Sequence, residues 1–213
     1  MGGRISVIGT EAYYDNVDNP DNHMREVAFD YLSDWWSDEI EDSSDDYDTI
    51  FSRLHSEIPE NELRISSMSD RRQDANEWLE NNISSFESRG SIQVDWVEKS
   101  GDGWPLGLAG VGTAMTDSSN KTGITNIYRF ENPSYFFQEV EEFGTVFHEL
   151  LHNYDVLHEH GATNGNGEAS FILAAGKDED DDSCFWNGDS DQRTDWTSFC
   201  TRNNARNHID NHQ

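Results

Sequence analysis

The stretch His148-Glu149-Leu150-Leu151-His152, followed six residues later by His158, constrains this chain more than any other feature. Two histidines four apart on a helix share one face, with Cβ atoms about 5–6 Å apart. That spacing suits two nitrogen ligands on one tetrahedral Zn²⁺, each about 2.0–2.1 Å from the metal. Glu149, beside the first histidine, is placed to take a proton from metal-activated water. The chemistry requires a helix here. Phe136, Val140, Phe143, Phe147, Leu150 and Tyr154 recur at three- and four-residue intervals and supply its apolar face. Asn132 and Pro133 read as its cap and first position. Gly144 marks a point where that helix could break and restart.

The chain before this helix reads as alternating strands and helices. Arg4 to Ile8 alternates with the period of a strand and ends at Gly9. A polar loop is expected next, then a helix from about Asn22 to Ile40 carried by Val27, Tyr31, Leu32, Trp35 and Trp36. Ile50, Leu54 and Ile58 predict a short helix ending at Pro59, and Leu63 to Ile65 a short strand. Ala75, Trp78, Leu79, Ile83 and Phe86 form the face of a helix capped by Ser69 or Asp70 and ended by Gly90. Ser91 to Glu98 alternates as a strand. Gly107 to Ala114 is a small-residue strand, Lys121 to Gly123 a turn, and Ile124 to Phe130 the next strand.

The expected fold is therefore α+β or α/β. It has a twisted mixed sheet with an antiparallel edge strand, packed on helices, one of which carries the motif. A small irregular C-terminal part follows, with a short helix over 168–175 and a final helix over 198–212. The chain is long enough to bury a core as one domain, 1–213, with lobes over 1–158 and 159–213.

Composition narrows the partners. Forty-three acidic residues against 14 basic ones give a net charge of −29. Such self-repulsion opposes compaction in dilute buffer, and salt relieves it, the Debye length being about 3 Å at 1 M. With 25 Phe, Trp and Tyr residues, the chain reads as a globular protein adapted to high salt rather than a disordered one. No basic patch exists to neutralise phosphates, which excludes nucleic acid as a partner. No apolar run approaches 18 residues, so no membrane span is expected. Met1-Gly2-Gly3 reads as an added start before a mature domain, and an exported monomer is expected. Cys184 and Cys200 would then pair as a disulfide, or remain small buried side chains in a reducing compartment. Asp178 to Asp182 offers carboxylates to Ca²⁺ but lacks an EF-hand's glycine and spacing, and reads as a solvated acidic loop.

The pattern H-E-x-x-H-x-x-x-x-x-H resembles the metzincin metalloproteases, whose pattern is H-E-x-x-H-x-x-G-x-x-H. The resemblance implies His148, His152 and His158 as zinc ligands and Glu149 as general base and acid. It also implies an extended protein or peptide substrate along the edge strand, against Gly107, Leu108, Ala109, Gly110 and Val111. Asp155 stands where the family has glycine. Asn and Asp tolerate the left-handed conformation needed there better than other non-glycine residues, or Asp155 accepts a hydrogen bond from a ligand histidine. No methionine follows Met115, so the family's methionine turn has no counterpart, and no tyrosine follows Tyr154. Thermolysin-like enzymes take a glutamate from a later helix, which makes Glu168 the alternative third ligand, with His160 and Asp155 behind it. His23, His55, His208 and His212 read as surface residues. The functional expectation is a zinc endopeptidase. The alternative is a zinc-containing domain that binds a protein or peptide without cleaving it.

Overall fold

A computed structural model describes residues 3–41, 47, 49–64, 66–96, 107–116, 120–126, 144–161, 168–169, 192–193 and 197–213. Its centre is a five-stranded sheet built from β1 (Arg4–Thr10), β2 (Ile50–Ile58), β3 (Ser91–Trp96), β4 (Gly107–Ala109) and β5 (Thr122–Asn126). The order is β2-β1-β3-β5-β4, parallel throughout except for β4, which runs antiparallel to β5 at one edge. The fold is thus mixed α/β with a mostly parallel sheet and an antiparallel edge strand.

Helices cover both faces, so the inner strands β1, β3 and β5 are buried on both sides, while the edge strands β2 and β4 are only partly buried. On one face, α4 (Met68–Asn82) brings Met68, Ala75 and Leu79 against Ile8, Ile92, Val94, Trp96 and Ile124. On the other, α5 (Gly144–Asn153) brings Val146, Phe147, Leu150 and Leu151 against Ile5 and Val7. Val27, Ala28, Leu32 and Trp36 join this second cluster from a helical run over 20–40. That run comprises α2 (Pro20–Arg25), a π-helical turn Glu26–Leu32, α3 (Ser33–Trp35) and a second π-helical turn Trp36–Ile40. The C-terminal α6 (Phe199–His212) closes the same cluster with Ala205 and Ile209. No helix among the described residues is long and apolar enough to cross a membrane.

Several local expectations are corrected. Residues 50–58 form strand β2, not a helix. A spacing of four satisfies a period of two as well as a helical turn, so Ile50, Leu54 and Ile58 fit both. The polar loop expected after Gly9 contains α1 (Glu11–Asn16), capped by the Thr10 hydroxyl, which accepts from the Tyr13 amide. Leu63 lies after a 3₁₀ turn, Glu60–Glu62, and makes no strand. Helix α4 is capped by Ser67 and ends at Asn82 rather than Gly90. There the Asn81 and Asn82 amides donate back to the Glu77 and Trp78 carbonyls and compete with helix continuation. Thr122 and Gly123 belong to β5 rather than to a turn. The edge strand stops at Ala109, so Gly110 and Val111 lie beyond it. Glu168–Ala169 form strand β6, paired in parallel with β7 (Gln192–Arg193), where the expected helix would start, and the rest of that helix, 170–175, lies outside the described residues. The cap at Asn132 and Pro133, the acidic run 178–182 and Cys184 lie outside the described residues. Cys200, on α6, is disulfide-bonded.

The alternation in β3 has an unexpected outcome. Its polar set, Ser91, Gln93 and Asp95, is wholly buried and faces α5 rather than water. Ser91 Oγ and Gln93 Nε2 donate to Asn153 Oδ1, at 2.7 and 2.9 Å, while Gln93 Oε1 has no hydrogen-bond partner among the described residues. Among the described residues neither Asp95 carboxylate oxygen has a hydrogen-bond partner, and burial pushes this carboxyl well above the usual carboxylate range. The folded state therefore holds a proton that the unfolded chain releases near pH 4. Stability attributable to Asp95 falls as pH rises from the unfolded value towards the folded one. Asp95→Asn, of nearly the same shape, is expected to gain at least about 1 kcal/mol at pH 8, or about 2–4 °C in Tm. The gain should vanish at pH 4. Thermal unfolding of both proteins from pH 4 to 8 in fixed molar salt checks this. A constant difference across that range would contradict it.

Candidate metal centre

Helix α5 is buried along its entire length, which is unusual for a helix that carries two histidines and a glutamate. Its polar side chains divide between two directions. His148 and His152 point towards His158, which begins a 3₁₀ turn, His158–His160, after the helix. Glu149 and Asn153, four residues apart, point towards the sheet. Asn153 donates to the Gly110 carbonyl at 2.9 Å and accepts from Ser91 and Gln93, so it ties the helix to β3 and to the end of the edge strand.

The helix ends in a Schellman arrangement. The Val156 amide donates to the Leu151 carbonyl at 3.2 Å, and the Asp155 amide to the His152 carbonyl at 3.1 Å. Asp155 sits at φ +63, in the left-handed region that favours glycine. The metzincin pattern that the motif resembles has glycine at this position, and here an aspartate takes the left-handed conformation. The turn brings His158 back over the helix. The segment before β5 also caps this end: the Gly112 amide donates to the His152 carbonyl (3.0 Å) and the Ala114 amide to the Asn153 carbonyl (2.9 Å).

The result is a triangle. The Nε2 atoms of His148, His152 and His158 each lie 3.1 Å from the other two. Hydrogen bonding among themselves does not account for it. An imidazole nitrogen either donates or accepts, so three cannot pair mutually, and at least one pair must be donor against donor or acceptor against acceptor. A shared cation resolves that conflict. In tetrahedral zinc with Zn–N bonds of 2.0–2.1 Å, ligand nitrogens lie about 3.3–3.4 Å apart. The triangle therefore fits such an ion, and it is the group of potential metal ligands found among the described residues.

The tautomer of one of these rings is fixed. His152 Nδ1 donates to the Val156 carbonyl at 2.7 Å, which directs the Nε2 lone pair into the triangle. Burial also lowers the His152 pKa and favours the neutral ring a metal requires. His160 is turned away: its Nδ1 accepts from the Leu157 amide at 2.9 Å. The Asp155 side chain is exposed and lies against Gly112. The Glu168 side chain lies outside the described residues. Glu149 is only 5% exposed and lies against Gly107 of the edge strand. Of the other expected substrate contacts, Leu108 packs into the α4-side core, the Gly110 carbonyl is occupied by Asn153 and Thr113, and Val111 is exposed.

Sequence reasoning missed the residues that hold the third histidine. The Ser198 hydroxyl donates to the His160 carbonyl, and Thr201 Oγ1 donates to the same oxygen at 3.0 Å. Thus the N-terminus of α6 grips the turn that presents His158. His208, expected at the surface, is buried, and its Nε2 donates to the Ala114 carbonyl at 2.7 Å. Together with Ala205 and Ile209, it puts α6 behind the motif helix, near the buried Tyr154. Only Ser198, readable as a cap, carried a sequence signal. Thr201→Val keeps shape but removes one grip. It is expected to weaken zinc binding by about 3–10-fold, less than the 10–100-fold typical of a direct partner of a ligand. Competition titration against a chromophoric chelator measures this, and unchanged affinity would leave α6 without a part in the centre.

No protein-family model matches this chain, and no curated protein matches it.

Proposed function

We propose that this chain is a zinc-dependent endopeptidase of metzincin-like design, adapted to high salt and acting on extended protein or peptide substrates outside the cell. One observation carries the reading: three imidazole nitrogens 3.1 Å apart, with the buried Glu149 one residue from the first ligand. His148, His152 and His158 would hold the ion. A bound zinc supplies a Lewis acid and lowers the pKa of water towards 7.

The chain's own groups do the rest. The Glu149 carboxylate accepts a proton from water, whose oxygen forms the new bond to the scissile carbonyl carbon. Glu149 then passes that proton to the departing amine nitrogen as the C–N bond breaks, so the carboxylate is regenerated and one water is consumed. The burial of Glu149 limits competing solvation of its carboxylate. Among the described residues the antiparallel edge strand β4 pairs with the sheet on one side only, and its other edge would align an extended chain.

Cleavage of an unstructured protein such as casein in molar salt, with and without a chelator, tests the proposal. Chelator-sensitive cleavage restored by zinc is expected. Stoichiometric zinc without cleavage of any substrate would replace the peptidase by a zinc-containing binding domain.

A further inference from the structure

Gly107 lies on the edge strand, yet its backbone does not require glycine: the glycines with positive φ among the described residues are Gly3 and Gly112. What requires glycine at 107 is space. A Cβ placed there would lie 2.5 Å from Glu149 Oε1, 2.6 Å from its Cγ and 2.8 Å from its Cδ. Real Cβ atoms do not approach other heavy atoms so closely, so the Glu149 side chain lies directly on the strand's bare backbone.

Both backbones are held in place by hydrogen bonds. β4 is fixed through its pairing with β5, Gly107 opposite Thr125 and Leu108 opposite Ile124, and the half-buried Leu108 packs against the core on the α4 side. Helix α5 is fixed by Asn153 to Gly110 and by the Gly112 and Ala114 amides on its last carbonyls. A methyl group at 107 must therefore displace the carboxyl itself. We propose that Gly107 is a positioning residue: its missing side chain is the seat that aims the Glu149 carboxylate at the reacting water. This rests on Glu149 acting as the proton acceptor. It adds a rule for the site, that residue 107 sets where the base stands while leaving the three histidines untouched.

A misplacement of about 1 Å costs on the order of 100-fold in rate. Zinc-loaded Gly107→Ala is accordingly expected to lose about 100-fold in kcat, with KM and zinc stoichiometry unchanged. Its crystal structure should show the Glu149 carboxyl moved from the strand. An unmoved carboxyl with kcat within about threefold of the parent would overturn the proposal. A moved carboxyl with parental kcat would uphold the seat and instead remove Glu149 as base, which separates this inference from the functional reading beneath it. Should Gly107→Ala fail to fold, the double variant Gly107→Ala/Glu149→Ala decides. Recovery of the Tm of Glu149→Ala supports the collision, whereas continued unfolding assigns Gly107 to the strand alone and overturns the proposal.

Discussion

Glu149→Gln is expected to keep zinc on the protein and to lower peptide hydrolysis by about 10²–10⁴-fold. Glutamine matches glutamate in shape, so it fits the narrow seat against Gly107 without disturbing β4 or α5. The three ligand nitrogens are untouched, and metal content should remain stoichiometric. What is lost is the ability to accept a proton from water and return it to the leaving amine. The burial of Glu149 means that bulk buffer cannot easily take over that role. Elemental analysis and kcat/KM against one peptide measure both halves of the prediction. Near-normal activity in this variant would show the proton-transfer mechanism to be wrong.

His158→Ala is expected to have the larger effect on the metal. A structural zinc site in a peptide contributes about 10–16 kcal/mol at pH 7. Removing one of three histidines should then cost roughly a third of that, about 3–5 kcal/mol, or about 10²–10⁴-fold in affinity. His158 comes from the turn after α5, so the helix and its two remaining histidines should stay folded. The same titration on Glu168→Ala and His160→Ala should find affinities within about threefold of the parent. Were Glu168→Ala to lose zinc instead, the third ligand would be the glutamate and the triangle would have another explanation.

The first part of the site was legible because its spacing is local. His148, Glu149 and His152 follow from helical geometry alone, and His158 lies within one turn of chain beyond the helix. The left-handed residue that makes this possible was also readable: Asp155 is among the few residue types that adopt φ +63. The distant supports were not readable. Nothing in the sequence links Gly107 to Glu149 or Thr201 to His160, because these contacts arise only when β4 and α6 pack on the motif helix.

The fold shows the same division. Strands β1 and β3 were clear from their alternation, although it marked two buried faces rather than a wet and a dry one. Ile50, Leu54 and Ile58 in β2 fit a helix as well as a strand, because hydrophobic residues four apart satisfy two periods at once. His208 lies on a helix whose polar composition points to solvent, whereas this ring satisfies a backbone carbonyl in the interior.

The central claim is that three imidazoles share one zinc ion. X-ray absorption at the zinc edge, on protein carrying one equivalent of zinc in molar salt, tests it most directly. The account predicts three imidazole nitrogens at about 2.0–2.1 Å, completed by an oxygen. Failure to retain one equivalent, or a shell with fewer than three imidazoles, would contradict it.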